Sequence, residues 1–201
     1  RRLRLQFIMI TSLAILFILI FTVGIINTVR SFQTEQEISK VLNILTENNG
    51  SFGKIKKIET NQGREIPSDS FRFFSLTLSD DKVVSQDTSH TSLINDEEAA
   101  RYALTVSRLT NNLGTIREKN INLSYQVSKV SRDKILVVFL DTSSYYNSSQ
   151  ALFSLSILLS LFAFIFFVVI VSALSGIVIR PFIRNYEKQR RFITNARHEL
   201  K

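Results

Sequence analysis

Residues 152–179 read LFSLSILLSLFAFIFFVVIVSALSGIVI, and no Asp, Glu, Lys or Arg occurs between residues 142 and 179. The hydrocarbon core of a bilayer is about 30 Å thick, so a helix rising ~1.5 Å per residue crosses it with roughly 20 apolar residues. This stretch is longer than that. It also lacks the polar stripe that a helix packed on a soluble core carries at helical spacing. It reads as a transmembrane helix over 151–179.

A second stretch of the same kind lies upstream. Residues 5–29, LQFIMITSLAILFILIFTVGIINTV, carry no charge and follow Arg1-Arg2-Leu3-Arg4. A basic start and an apolar run also describe a cleaved signal peptide. The run is longer than a signal core, however, and no small-x-small cleavage site follows it. We read it as a first transmembrane helix.

Charge orients the pair. Residues 1–4 carry three basic and no acidic groups, and residues 180–201 carry seven basic groups against Glu187 and Glu199. Those +3 and +5 account for the whole net charge of +8, because residues 30–150 hold fifteen charges of each sign. Lys and Arg next to membrane ends stay cytoplasmic, so both termini are expected inside and 30–150 outside. The basicity then belongs to lipid headgroups and gives no reason to expect nucleic acid. The chain has no cysteine and only two histidines, His90 and His198. Disulfides, thiol catalysis, thiolate metal sites and histidine-rich metal sites are therefore excluded.

Between the spans the periodicity changes. Residues 30–48 continue helically from the first span, with Ile38, Val41, Leu42 and Leu45 at three- and four-residue spacing and Asn48-Asn49-Gly50 as the stop. A lysine-rich stretch (52–58) and a polar loop (61–70) follow. FRFFSLTL (71–78), a turn at Asp80-Asp81 and KVVSQD (82–87) read as a β-hairpin, and the His90 loop leads to a helix over 95–111. Asn95 is its N-cap, acidic residues fill the first turn, and Ala99, Tyr102, Ala103, Val106 and Leu109 form the apolar face. Gly114 precedes three strand-like runs, 115–118, 121–130 and 135–141. Five antiparallel strands with a helix on one face make an α+β sandwich, and some 120 residues suffice for one core.

This element order, with the FRFFSLTLSDDKVV hairpin and the closing KILVVFLDTSS strand, resembles the extracytoplasmic PAS-like (Cache-type) sensor domains of bacterial receptors. The resemblance implies an unknown extracytoplasmic ligand for 30–150.

After the second span the chain reads GIVIRPFIRNYEKQRRFITNARHELK. Pro181 predicts a kinked or restarted helix at the membrane surface. Beyond it, Phe182, Tyr186, Ile193, Ala196 and Leu200 recur at near-heptad spacing, as in a helix that packs on a partner. EKQRRFITNARHELK resembles the first helix of the dimerisation and phosphotransfer domain of membrane-bound sensor histidine kinases of two-component systems. The F-x-x-x-A-x-H-E-L-K pattern falls here on Phe192, Ala196, His198, Glu199, Leu200 and Lys201. Arg197 stands where that family often has a small residue.

The resemblance implies that His198 accepts phosphate and that Glu199 is the candidate general base. It further implies a homodimer, a cognate response regulator, and a following Gly-rich domain that supplies ATP and Mg. Residues 1–201 contain no cofactor site and alone are expected to be inactive. The interval from residue 179 to His198 is too short for a HAMP relay. A non-enzymatic two-pass receptor or ligand-binding protein would share the spans and sensor region but not the His-Glu-Leu-Lys pattern.

Overall fold

Helix α1 runs from Arg2 to Glu47 without interruption. The computed structural model describes residues 2–61, 63–118 and 121–199, with the side chains of residue 3 and of residues 177–199 excepted. The helix stops where the sequence signal stands. Asn49 takes a left-handed φ of 56° and Gly50 one of 86°. The Gly50 N–H donates to the Leu45 carbonyl at 2.7 Å and that of Asn49 to Thr46 at 3.3 Å, the paired bonds of a Schellman cap.

The chain divides into two units, Val29–Ala151 and the pair of segments Arg1–Thr28 with Leu152–Lys201. The first is a mixed α+β unit built on a five-stranded antiparallel sheet in the order β4-β3-β7-β6-β5. Its strands are β3 (Phe73–Ser79), β4 (Lys82–Asp87), β5 (Leu113–Glu118), β6 (Ile121–Ser131) and β7 (Lys134–Asp141). The Asp80-Asp81 turn joins β3 to β4 with φ of 50° and 59°, the doubly left-handed geometry that matches strand twist in a two-residue hairpin.

Alternate residues of β3 and β7 point to opposite faces, and both faces are covered. Phe73, Leu136, Val138 and Leu140 pack with Ile38, Val41, Leu42 and Leu45 of α1. Phe74, Leu76, Leu78, Val137 and Phe139 pack with Ala99, Ala103 and Val106 of helix α2 (Asp96–Ser107). The expectation of a helix on one face is thus corrected. The C-terminal part of α1 supplies the second layer, and β7 is apolar at consecutive positions because neither of its faces meets water.

Two further corrections concern element ends. Helix α2 stops at Ser107, not at residue 111, and Leu109, expected on its apolar face, is 51% exposed. The chain must leave the helix there to enter β5 at Leu113. Within β5, Gly114 passes the Tyr125 hydroxyl so closely that a Cβ would come to 2.5 Å of it. The stretches read as lysine-rich and as loop form a small antiparallel pair, β1 (Lys57–Glu59) and β2 (Glu65–Pro67), in register Ile58↔Ile66. Buried Ile58 ties this pair to the α1-side core. Strands of three residues are too short to show a period of two.

Helix α3 spans Ser143–Glu199. Pro181 lies inside it without ending it, so the helix is not restarted there; the cost is one missing backbone donor. Helices α1 and α3 are long and apolar enough to cross a membrane, with windows of mean hydropathy 2.7 and 3.0. Large side chains such as Ile10 (70%), Phe17 (70%) and Phe162 (74%) are exposed on them. Apolar surface on that scale is unfavourable in water and suits a lipid surround.

The stop of α1 gives a first test. A Cβ on Gly50 would lie 2.4 Å from Ser75 Oγ, on a backbone already at positive φ. Gly50→Ala is expected to cost about 2–3 kcal/mol, from backbone strain and overpacking together. Gly24→Ala, with nothing within 4 Å of its Cβ, serves as the control and should not destabilise. Thermal unfolding of both variants in micelles checks the pair.

Candidate functional site

Phe192, Ala196, His198 and Glu199 lie toward the far end of α3. His198 and Glu199 belong to that helix by their backbone, and Phe192 and Ala196 precede them on it. The side chains of all four lie outside the described residues, as do Leu200 and Lys201 entirely. What the structure resolves in atomic detail is the other end of the same helix, where it leaves the sheet.

There β7 turns into α3 through Asp141, Thr142 and Ser143, and short polar side chains hold the turn. Asp141 accepts from the Ser143 N–H at 2.9 Å, and the Thr142 carbonyl accepts from the Tyr146 N–H at 3.1 Å. Asp and Ser suit this position because their oxygens reach the free N–H groups of a first helical turn.

Strand β6 grips the same residues through Asn122. The Asn122 carbonyl accepts from the Thr142 N–H at 2.8 Å and from the Thr142 hydroxyl at 3.0 Å, while its N–H donates to Ser143 Oγ at 2.9 Å. Thr142 is fully buried, and its hydroxyl also meets Ser124 Oγ at 3.1 Å, which in turn meets Thr115 Oγ1 at 3.1 Å. Two strands, β5 and β6, are thereby tied by hydroxyls to the start of α3.

Aromatic residues complete the junction. Tyr145 and Tyr146 pack against the α1-side core. The Arg117 guanidinium of β5 lies 5.0 Å from the centre of the Tyr146 ring, within cation–π range. Burial, with a smaller contribution from the Glu37 carboxylate, pushes the Tyr145 phenol up to about 12. Anionic Tyr145 would be desolvated and face a like charge. The elements gathered here are thus α1 (Glu37), β5 (Arg117), β6 (Asn122, Ser124) and the start of α3.

His90 is exposed, as its loop position suggested, but it is not free of the core. Its ring stacks on buried Phe73 at 4.5 Å and 16°. In the same loop, the Ser89 hydroxyl and N–H donate to Asp87 and hold its carboxyl below the usual range. Asp81 of the hairpin turn pairs with Arg108 at 3.3 Å across exposed surface. On the α2 side of the sheet, Phe74 and Phe139 stack at 4.6 Å, both essentially inaccessible. Among the described residues no group of three or more His, Asp or Glu side chains could hold a metal ion.

Sequence reasoning assigned no role at this junction to Arg117, Asn122, Thr142 or Tyr145. The available signal was the run Asp141-Thr142-Ser143-Ser144 at a strand-to-helix boundary, a cap composition. The partners on β5 and β6 lie about twenty or more residues away and leave no local trace. No protein-family model matches the chain, and no curated protein matches it.

The Tyr145 shift yields a pH test. Its folded-state value lies above the ordinary 10.0. Its contribution is therefore fully present below about pH 10 and is lost as pH rises toward about 12, where the unfolded chain releases a proton that the folded one retains. Tyr145→Phe should flatten this part of the alkaline decline in stability. Denaturant midpoints measured from pH 8 to 12 check it; parallel declines in both proteins would contradict the assigned environment.

Proposed function

We propose that the chain is the sensing and membrane portion of a two-pass bacterial protein-histidine kinase, with residues 30–150 outside and both ends in the cytoplasm. The observation that carries this reading is helix α3. A single unbroken element contains a membrane-length apolar stretch and, further on, Phe192, Ala196, His198 and Glu199 in the phosphotransfer spacing. The PAS-like (Cache-type) reading of the outer unit is supported by a five-stranded antiparallel sheet backed by the long N-terminal helix.

The chemistry suits the residues. A neutral imidazole is a nucleophile near neutral pH. The ring-nitrogen lone pair of His198 attacks the γ-phosphorus of ATP, and the bond to the bridging oxygen breaks with ADP leaving. Glu199 orients the ring and takes its proton. ATP and Mg come from a following domain, and the phosphoryl group passes to a response regulator. A homodimer brings the near-heptad positions of two chains together in a four-helix bundle.

The sensor's influence on His198 travels along α3. A stimulus acts by binding one arrangement of the junction better than another, and it shifts the population by that difference in affinity alone. The grip of Asn122 and Thr142 on the first turn of α3 makes a change in β5 or β6 a change in helix position.

Two experiments test this reading. In the chain extended by its ATP-binding domain, His198→Gln should abolish autophosphorylation while ATP binding persists. Glu199→Ala should slow it by about 10²–10⁴-fold, the usual range for a positioned acid–base group. Alkali-stable, acid-labile phosphoprotein surviving in the His198 variant would refute the assignment. For topology, a cysteine at exposed Ser92 should react with a membrane-impermeant maleimide on intact cells, and one at Gln189 should not. The reverse pattern would invert the proposed orientation.

A further inference from the structure

In the unit made of residues 1–28 and 152–201, one side chain joins helices α1 and α3. Arg4 Nε donates to Ser175 Oγ at 2.8 Å, and Arg4 Nη2 donates to the Ser172 carbonyl at 2.9 Å, across separations of 171 and 168 residues. Ser175 is fully buried, and its hydroxyl itself donates to the Ser172 carbonyl at 2.8 Å. The three groups form a closed set: the hydroxyl accepts from Arg4 and donates to the carbonyl, and the carbonyl accepts twice.

Gly176 supplies the space beside this set. A Cβ there would lie 3.9–4.0 Å from Cζ, Nη1 and Nη2 of Arg4 alike, so the guanidinium plane lies flat against that turn of α3. Ser172, Ser175 and Gly176 are three and four positions apart and share one helix face. A planar guanidinium directs neighbouring donors in a fixed fork, which a lysine ammonium cannot do.

We infer that Arg4 is a clasp that holds the two apolar helices in one register. The geometry explains why it would be selective. Turning α3 by one residue rotates its face by roughly 100°, and sliding it by one residue moves it ~1.5 Å. Either motion takes Ser175 Oγ and the Ser172 carbonyl out of the fork together. An arginine released from this fork gives up two charge-assisted hydrogen bonds of fixed geometry, and the buried Ser175 hydroxyl loses its donor. Arg4 is thus a positioning residue, setting the resting placement of the helix that continues to Glu199. This inference rests on the two helices lying in a membrane and not on the phosphotransfer reading.

The test uses the whole chain in lipid nanodiscs. The protein has no cysteine of its own, so spin labels can be placed cleanly at Phe7 and Leu174, which are 42% and 50% exposed and outside the clasp. The unaltered chain should give one narrow distance distribution by pulsed electron resonance. Arg4→Gln, Arg4→Lys and Ser175→Ala should each broaden or shift it. Arg4→Gln combined with Ser175→Ala should add nothing beyond Arg4→Gln alone, since one interaction is lost in both. Ser175→Ala leaves the charge pattern intact, so it remains decisive even if an Arg4 variant inserts differently. An unchanged narrow distribution in Ser175→Ala and Arg4→Lys would overturn the clasp, whatever the kinase activity of the extended chain.

Discussion

Strand β7 is bonded to β3 along one side and to β6 along the other, and apolar layers cover both of its faces. Val137, Val138, Phe139 and Leu140 are wholly inaccessible, a run that no surface strand could carry. Complete burial leaves every backbone group of the strand dependent on its two neighbours, so its position is fixed more firmly than that of any edge strand. The helix that leaves the sheet begins two residues beyond its end. The most constrained strand of the fold is therefore the one that feeds the longest helix.

The step from β7 to α3 is made by polar groups where the core ends. An apolar contact between strand and helix would tolerate sliding, because burial is non-directional. The hydroxyls of Thr142 and Ser143 instead bond both backbone groups of Asn122, and each bond has a preferred distance and angle. The buried Ser124–Thr142 pair adds a cost to any motion that separates them, since each hydroxyl would lose one of its two hydrogen-bond partners away from water. Directional bonds at the exit and non-directional packing behind it make the exit move with the sheet.

A comparable division appears between the two long apolar helices. Exposed Leu, Ile and Phe side chains suit a hydrocarbon surround but specify no particular partner, because lipid tails are as apolar as the side chains themselves. Specific placement has to come from the few polar groups, and Arg4 with Ser172 and Ser175 is such a set. The same arginine that contributes positive charge at the N-terminus thus also carries geometric information.

Much of this protein was legible from local pattern. Two uncharged runs gave the membrane-length helices, Ile38, Val41, Leu42 and Leu45 gave the buried face of α1, and Asp80-Asp81 and Asn95 gave a turn and a cap, each through physics acting within a few residues. The pattern around His198 was equally local, and the role proposed for it rests on the resemblance of residues 192–201 to a known phosphotransfer helix. Other features depended on distant partners. The second helical layer on the sheet, the β1–β2 pair, the exposure of Leu109, the Asn122–Thr142 grip and the Arg4 fork emerge only once the chain is folded. A hydrogen bond between residues 171 positions apart leaves no mark on either neighbourhood, since Arg4 reads as a flanking charge and Ser175 as a small residue in an apolar run. Periodicity and composition report the solvent each segment prefers; which donor meets which acceptor is decided by tertiary structure, because that depends on distances the sequence does not contain.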